Sequence, residues 1–193
     1  MARPAKYTWD YKFEYHPVTP ACLGDLKRFC HKYGKFSYCA CMRWRLRSAE
    51  FQRSTKEERI ARLEHLVREN VPVGILGYDG HEPIGWCSVA PRDTYHALQS
   101  SRVLPALDTV SVWSVVCFYV DPQYRGQQLS VGLLKAAVQY ALSEGAEAVE
   151  AYPVPPASTS YRFMGVPKVF MEVGFVDVTP RGQKRMVVRY VPS

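Results

Sequence analysis

The chain has 193 residues, 47% of them hydrophobic and 22% charged, which is enough length and apolar content for one compact domain and excludes intrinsic disorder. Lys and Arg number 25 against 18 Asp and Glu, a formal charge of +7 that suits an anionic cofactor, an acidic partner or nucleic acid without choosing among them. The basic N-terminus is followed by no apolar stretch and no segment is long enough to cross a bilayer, so the expectation is a cytoplasmic protein, one domain over residues 1–193, with no membrane partner.

The opening YTWDYKFEYHPV alternates aromatic with polar residues and predicts a strand over residues 9–16, ended by Pro17. After Thr19 and Pro20, the spacing of Leu23, Leu26, Phe29, Cys30 and Tyr33 predicts a first helix, stopped by Gly34. KFSYCACMRWRLR has no clean period and is read as a loop or short helix. STKEERIARLEHLVREN predicts a second helix, with Ser54 or Thr55 as cap, Glu57 and Glu58 early, and Ile60, Leu63, Leu66 and Val67 on one face. VGILGY, the turn DGHE and PIGWCSVAP predict a hairpin, and residues 95–107 are polar and irregular.

The run VSVWSVVCFYV at 110–120 is β-branched and aromatic, as a central strand requires. A helix follows from Leu129 to Glu144, closed by Gly145, with Leu133, Leu134, Ala137 and Leu142 facing inward. AEAVEAYPV reads as the next strand, VPKVFMEVGF as a short helix ending at Gly174, and FVDVTP with RMVVRYV as a closing hairpin. Seven strands and about four helices, mixing antiparallel hairpins with one βαβ crossover, predict an α/β or α+β fold around one mixed sheet.

Cys22, Cys30, Cys39, Cys41, Cys87 and Cys117 are irregularly spaced and are read as reduced thiols. Cys39 and Cys41 lack the C-x-x-C spacing of a zinc site, and no metal is expected. The basic clusters Arg43/Arg45/Arg47 and Arg181/Lys184/Arg185 sit in no nucleic-acid motif and are read as solvated faces, so no nucleic-acid partner is expected.

Between the central strand and the helix at 129 lies VDPQYRGQQLS. A strand–turn–helix junction presents unpaired N–H groups and a partial positive charge, a ready anion site. The strand WSVVCFYVDP, the turn RGQQLS and the later VFMEVGF, in this order and spacing, resemble the GNAT superfamily of N-acetyltransferases over most of the chain. That resemblance implies a single domain with a splayed central strand pair, acetyl-coenzyme A (acetyl-CoA) as cofactor, and direct transfer in a ternary complex.

The family's pyrophosphate turn, R-x-x-G-x-G or R-x-x-G-x-A, aligns on Arg125, Gln128 and Ser130. The resemblance therefore places the cofactor on Arg125, Gly126, Gln127, Gln128, Leu129 and Ser130, through main-chain N–H groups that survive the loss of glycine. Gln128 is then expected to keep ordinary helical dihedrals. The pantetheine arm would run along Cys117, Phe118, Tyr119 and Val120, with an N–H near Cys117 or Phe118 facing the thioester carbonyl. The Cys117 thiol itself is read as buried, although a nucleophilic role is the sharper alternative.

The family's usual tyrosine acid aligns on Phe170, which cannot donate a proton. Tyr152 is expected to replace it, with Glu150 two residues earlier as base and Tyr161 as a second candidate acid. By the same resemblance the acceptor pocket falls on residues 36–44, on Trp113 and on residues 152–163, which nominates Trp44, Trp113, Tyr152 and Tyr161 as substrate contacts. Their aromatic walls suit sugars, polyamine stems and planar amines. In overall similarity the sequence is placed nearest the aminoglycoside 2′-N-acetyltransferase type that inactivates kasugamycin. A +7 chain would then need Asp10, Glu14, Glu82 or Glu150 in its pocket, a need that kasugamycin's own acidic group reduces. An N-acetyltransferase for protein N-termini, lysines or polyamines, and a non-catalytic acyl-CoA-binding protein, stay open, and a homodimer is compatible with the surface.

Overall fold

The computed structural model describes residue 7 and residues 12–192. Its seven strands are β1 (Glu14–Pro17), β2 (Ile75–Asp79), β3 (Glu82–Pro91), β4 (Val112–Val120), β5 (Ala148–Ala151), β6 (Val176–Asp177) and β7 (Val188–Tyr190). They form one sheet in the order β1-β2-β3-β4-β5-β7-β6, antiparallel except for the β4–β5 pair. The β-branched run is thus the central strand, as its composition predicts. Residues 9–11 of the first expected strand lie outside the described residues, and the strand proper begins at Glu14.

Eight helices accompany the sheet among the described residues, rather than four. The expected ones are α1 (Leu23–Lys32), α5 (Lys56–Arg68), α7 (Leu129–Ser143) and α8 (Pro167–Val173). The additions are four short pieces: α2 (Gly34–Cys39), α3 (Met42–Arg45), α4 (Ser48–Arg53) and α6 (His96–Gln99). Gly34 does not end a helical region but opens α2, because Tyr33 (φ −111°, ψ 87°) turns the chain and lets a new helix start. At α5, Thr55 Oγ1 accepts from the Glu58 N–H (3.2 Å) while Glu58 Oε2 accepts from the Thr55 N–H (2.7 Å), the reciprocal cap that the sequence signals.

The sheet separates two apolar layers. One face packs on α7 and α8 through Phe13, Tyr15, Ile75, Val89, Val115, Leu133, Leu134 and Phe170. The opposite face packs on α1, α2 and α5 through Leu26, Phe29, Phe36, Leu63, Val67 and Trp86. Further along that face, Trp44, Tyr95, Leu98, Leu104, Val116, Tyr152 and Met164 form a third cluster. The 95–107 segment is irregular outside α6, as expected, but it is not wholly polar in its packing: Tyr95, Leu98 and Leu104 are fully buried.

α7 lies unusually close to the sheet. A Cβ at Gly85 would stand 3.0 Å from Leu133 Cδ1, and one at Gly132 only 2.0 Å from the Tyr15 hydroxyl and 2.2 Å from its Cζ. Tyr15 is buried between strand and helix and cannot swing away. Gly132→Ala is accordingly expected to cost about 2 kcal/mol by overpacking, read as a lower urea midpoint with an unchanged slope.

Candidate active site

The site begins where β4 loses a neighbour. β4 pairs with β3 along its length, but with β5 only from Val112 to Val115. Ser88 faces Cys117 and Val89 faces Val115, so Val116 is one extra residue, a bulge that turns both Val116 and Cys117 away from α7. β5 stops at Ala151 because Pro153 has no N–H for a ladder, and the Val154 N–H instead donates to the Gly165 carbonyl (3.0 Å). Asp121 N–H donates to Ile84 O at 2.9 Å; by strand alternation Tyr119 and Cys117 also face β3, whereas Phe118 and Val120 turn their N–H and C=O groups to the open side. Of the two expected oxyanion donors, this alternation selects the Phe118 N–H.

The open edge runs into the basic turn. Asp121 is buried and accepts from the Gln123 N–H (3.0 Å) and from the Tyr33 hydroxyl. Burial opposes its ionisation, yet Tyr33, the Gln123 N–H and Lys32 together hold its carboxyl below the usual range. Beyond it Arg125 is exposed, and no N–H from Gly126 to Ser130 donates to a backbone carbonyl among the described residues. Such a row of free donors at the start of a fifteen-residue helix fits a pyrophosphate.

Gln128 corrects the sequence reading. It sits at the N-cap of α7 with φ 61° and ψ 8°, in the left-handed region, rather than with helical dihedrals. The turn keeps the backbone that glycine usually serves, at a cost of about 1 kcal/mol. Gln128 Nε2 also donates to Glu172 Oε1 (2.9 Å) on α8, and Leu129 anchors the next position in the core.

Between α2, α3, the end of β4 and the 160–163 segment lies a cavity of about 550 Å³. Its wall includes Phe36, Cys41, Cys117, Phe118, Tyr119 and Tyr161, with Lys35 and Arg43 as its charged groups. No carboxylate lines it. Glu14 lies beside His16, Glu82 pairs with Lys32, and Asp10 is outside the described residues. The thiols are free; Trp86 Nε1 donates to Cys41 Sγ at 3.1 Å. The Cys117 thiol donates to Phe118 O at 3.8 Å, and its interaction with Cys41, reinforced by burial, drives it well above its usual value while holding Cys41 below its own. Cys117 is thus a protonated wall residue and not a ready nucleophile.

Two expected residues move out of the site. Trp113 packs on the α7 face, edge-on to Tyr140 (5.4 Å), because strand alternation points it opposite to the cavity. Tyr152 is 1% exposed, and its hydroxyl contacts Arg92 Nη1 (2.8 Å), Ser114 Oγ (2.9 Å) and Glu150 Oε2 (3.2 Å). Burial, first, and the Glu150 charge raise its pKa far above the ordinary tyrosine value. Glu150 faces Arg189 across the β5–β7 ladder and accepts from it at 2.6 Å, so it is neutralised inside the core. Neither lines the cavity.

Of the other expected contacts, Tyr161 lies on the cavity wall and Trp44 just beyond it, with ring centroids 6.3 Å apart. Phe170 is fully buried against Phe118 and Phe175 and carries no proton. Lys35 and Phe51 line the cavity outside the expected segments, and Arg43, inside the expected 36–44 segment, is a wall residue rather than part of a solvated face. Arg43 and Arg45 alternate in RWRLR, so one meets the cavity while the other enters the core, where it donates to Pro72 O (2.7 Å).

The model of the acetyltransferase (GNAT) family matches residues 38–165, more than half of the chain. No curated protein matches the sequence. Among solved structures, the chain is similar to the ribosomal-protein-S5-alanine acetyltransferase of Vibrio fischeri, at 14% identity and TM-score 0.56, over 97% of this chain and 96% of that one. It is similar to yncA of Salmonella typhimurium, solved with its cofactor acetyl-CoA, at 14% identity and TM-score 0.53, over 93% and 94%. The paia N-acetyltransferase of Thermoplasma acidophilum, in complex with coenzyme A, matches at 12% identity and TM-score 0.52, over 93% and 99%.

Two outcomes are expected. Arg125→Glu sets an anion against the pyrophosphate and should raise the coenzyme A dissociation constant, by calorimetry, at least about tenfold. Tyr152→Phe should lower stability by about 1 kcal/mol or more while leaving turnover of the folded enzyme nearly unchanged, since it removes core hydrogen bonds and no group at the cavity.

Proposed function

The chain belongs to the acetyltransferase (GNAT) family, and from that premise we propose that it acetylates the amine of a small molecule held in the aromatic cavity beneath β4. Transfer from acetyl-CoA to an amine nitrogen is the family's reaction. The observation that carries the acceptor assignment is the meeting of two features at Phe118: the unpaired edge of β4 on one side, and an aromatic cavity open at its rim on the other.

Acetyl-CoA, when bound, supplies the thioester whose carbonyl carbon the amine attacks. Arg125 and the N–H row from Gly126 to Ser130 would hold its pyrophosphate, and the open Phe118 and Val120 backbone groups its amide arm. The Phe118 N–H would serve as the donor to the thioester carbonyl oxygen. Phe36, Tyr119, Tyr161 and Phe163 orient the amine and exclude water. With Tyr152 and Glu150 locked in the core, Tyr161 is the proton donor to the departing thiolate; it is 38% exposed on the cavity wall.

Kasugamycin-type aminoglycosides remain within this class through their acidic group. Polycationic aminoglycosides find no carboxylate on the wall. Acetylation of a protein acceptor, as the name ribosomal-protein-S5-alanine acetyltransferase describes for the Vibrio fischeri neighbour, is the second outcome to be separated.

Release of free coenzyme A thiol, measured with kasugamycin, other aminoglycosides, polyamines, amino acids and short peptides, tests the reading. Turnover with a small amine supports it; turnover with peptides alone, or none with cofactor bound, overturns it. Tyr161→Phe is expected to lower kcat about a hundredfold with cofactor affinity unchanged.

A further inference from the structure

Beyond Tyr161 and Arg43 lies a second cavity, of about 800 Å³, between α3, α6 and the 100–104 segment. Arg43 and Tyr161 line both cavities, so the two adjoin. The basic residues of the second are Arg43, Arg47, His96 and Arg185, and no Asp or Glu lines it.

These arginines differ from the others around them. Arg59, Arg62 and Arg189 are each held by carbonyl or carboxylate oxygens at 2.5–2.9 Å. Among the described residues, neither Arg43, Arg47 nor Arg185 has a carboxylate partner. Arg185 lies over the Tyr161 ring (5.0 Å) and donates to Tyr152 O at a long 3.3 Å and to the weakly accepting Met164 Sδ at 3.3 Å. Its Nε is buried with no acceptor, and so is the Nε1 of Trp44, a side chain 9% exposed on the same wall. An indole N–H can only donate, and a guanidinium has no acceptor atom. Buried donors of this kind normally have partners, and of the three that lack one among the described residues, the third being Arg45 Nε, two belong to side chains of this wall. Burial also pulls Arg185 below its usual pKa, a penalty that a neighbouring anion would relieve.

We propose that this cavity binds the anionic oxygen group of the acceptor, and that the enzyme's substrates are small amines that also carry a carboxylate or phosphate. The anion rests on Arg43, Arg185 and the Trp44 N–H, while the amine end passes Tyr161 into the cavity at Phe118. Guanidinium groups grip planar carboxylates and phosphates through paired N–H donors, which fixes the orientation of the amine as well as its affinity. This proposal rests on the acetyltransferase reading of the first cavity and names the substrate class for it.

Calorimetry on the coenzyme A-loaded protein tests it, with a length series of ω-amino acids, their carboxamides, and phosphoethanolamine. At least one acid of matching length is expected to bind about tenfold to a hundredfold more tightly than its amide. That preference should collapse in Arg43→Gln and Arg185→Gln. The exposed Arg47→Gln provides a second, structurally mild variant in which it should weaken, and unchanged coenzyme A affinity certifies the fold of each. Phosphoethanolamine binding more tightly than every acid identifies phosphate as the anion. Equal binding of acids and amides, no binding by any anionic probe, or an acid preference that survives all three variants overturns the site. Thiol release separates the two readings: acids bound through the arginines but never acetylated leave the anion site standing and remove the acceptor role of the first cavity. Amides acetylated as well as acids do the reverse.

Discussion

The central strand has a hydrogen-bonding partner along only part of one edge, and the rest of the molecule is arranged around that gap. β4 is clamped to β3 throughout, yet parts from β5 after Val115, where Val116 is inserted and Pro153 prevents β5 from following. Backbone donors and acceptors left open inside a protein cost roughly 1–3 kcal/mol each unless something meets them. A ligand whose own chain alternates amide donors and acceptors meets that requirement in a way that an apolar ligand cannot. The gap therefore has the chemistry of a binding site, and in the proposed reading Phe118 and Val120 hold the cofactor through their main chain.

The gap would be of little use without a fixed anion site at its end. α7 supplies it by lying so close to the sheet that Gly85 and Gly132 leave no room for a Cβ beneath Leu133 and beside Tyr15. Tight packing along this helix sets the position of its first turn relative to the last residues of β4. Gln128 pays in backbone strain for keeping the turn open, and the burial of Leu129 and the bond to Glu172 hold it there. Strain localised at one residue between two well-packed elements is the pattern expected of a position where geometry matters more than stability.

Local patterns were legible in the sequence; relations between distant segments were not. The β-branched run of β4, the α5 cap, which falls on Thr55 of the two expected positions Ser54 and Thr55, and the Gly145 and Gly174 stops each involve residues within a few positions of one another. Glu150 and Tyr152 were misread because their surroundings come from elsewhere: Arg189 arrives on β7 and Arg92 from the end of β3, turning a candidate acid–base pair into a buried network. Trp113 was misplaced because its aromatic character says nothing about which face of β4 it occupies. The short helices α2 to α4 have no periodicity to read over four to six residues, and Ala40 and Cys41 join them through consecutive left-handed backbone angles that ordinary side chains seldom adopt.

The absence of a carboxylate from the first cavity bears on how the amine becomes a nucleophile. An alkyl ammonium must lose a proton before it can attack, and a buried carboxylate beside it would stabilise the charged form as well as accept the proton. Here the wall is aromatic and thiol-rich, and its charged groups, Lys35 and Arg43, are both cations. Desolvation and like charge act in the same direction, each favouring the neutral amine. An amine drawn in by an anion at its other end would enter an environment that itself promotes deprotonation, and water at the open rim would suffice to carry the proton away. In the proposed reading Lys35 and Arg43 then act by charge alone: they attract the anionic end of the acceptor and disfavour the ammonium form of the reacting one, whose proton leaves to water.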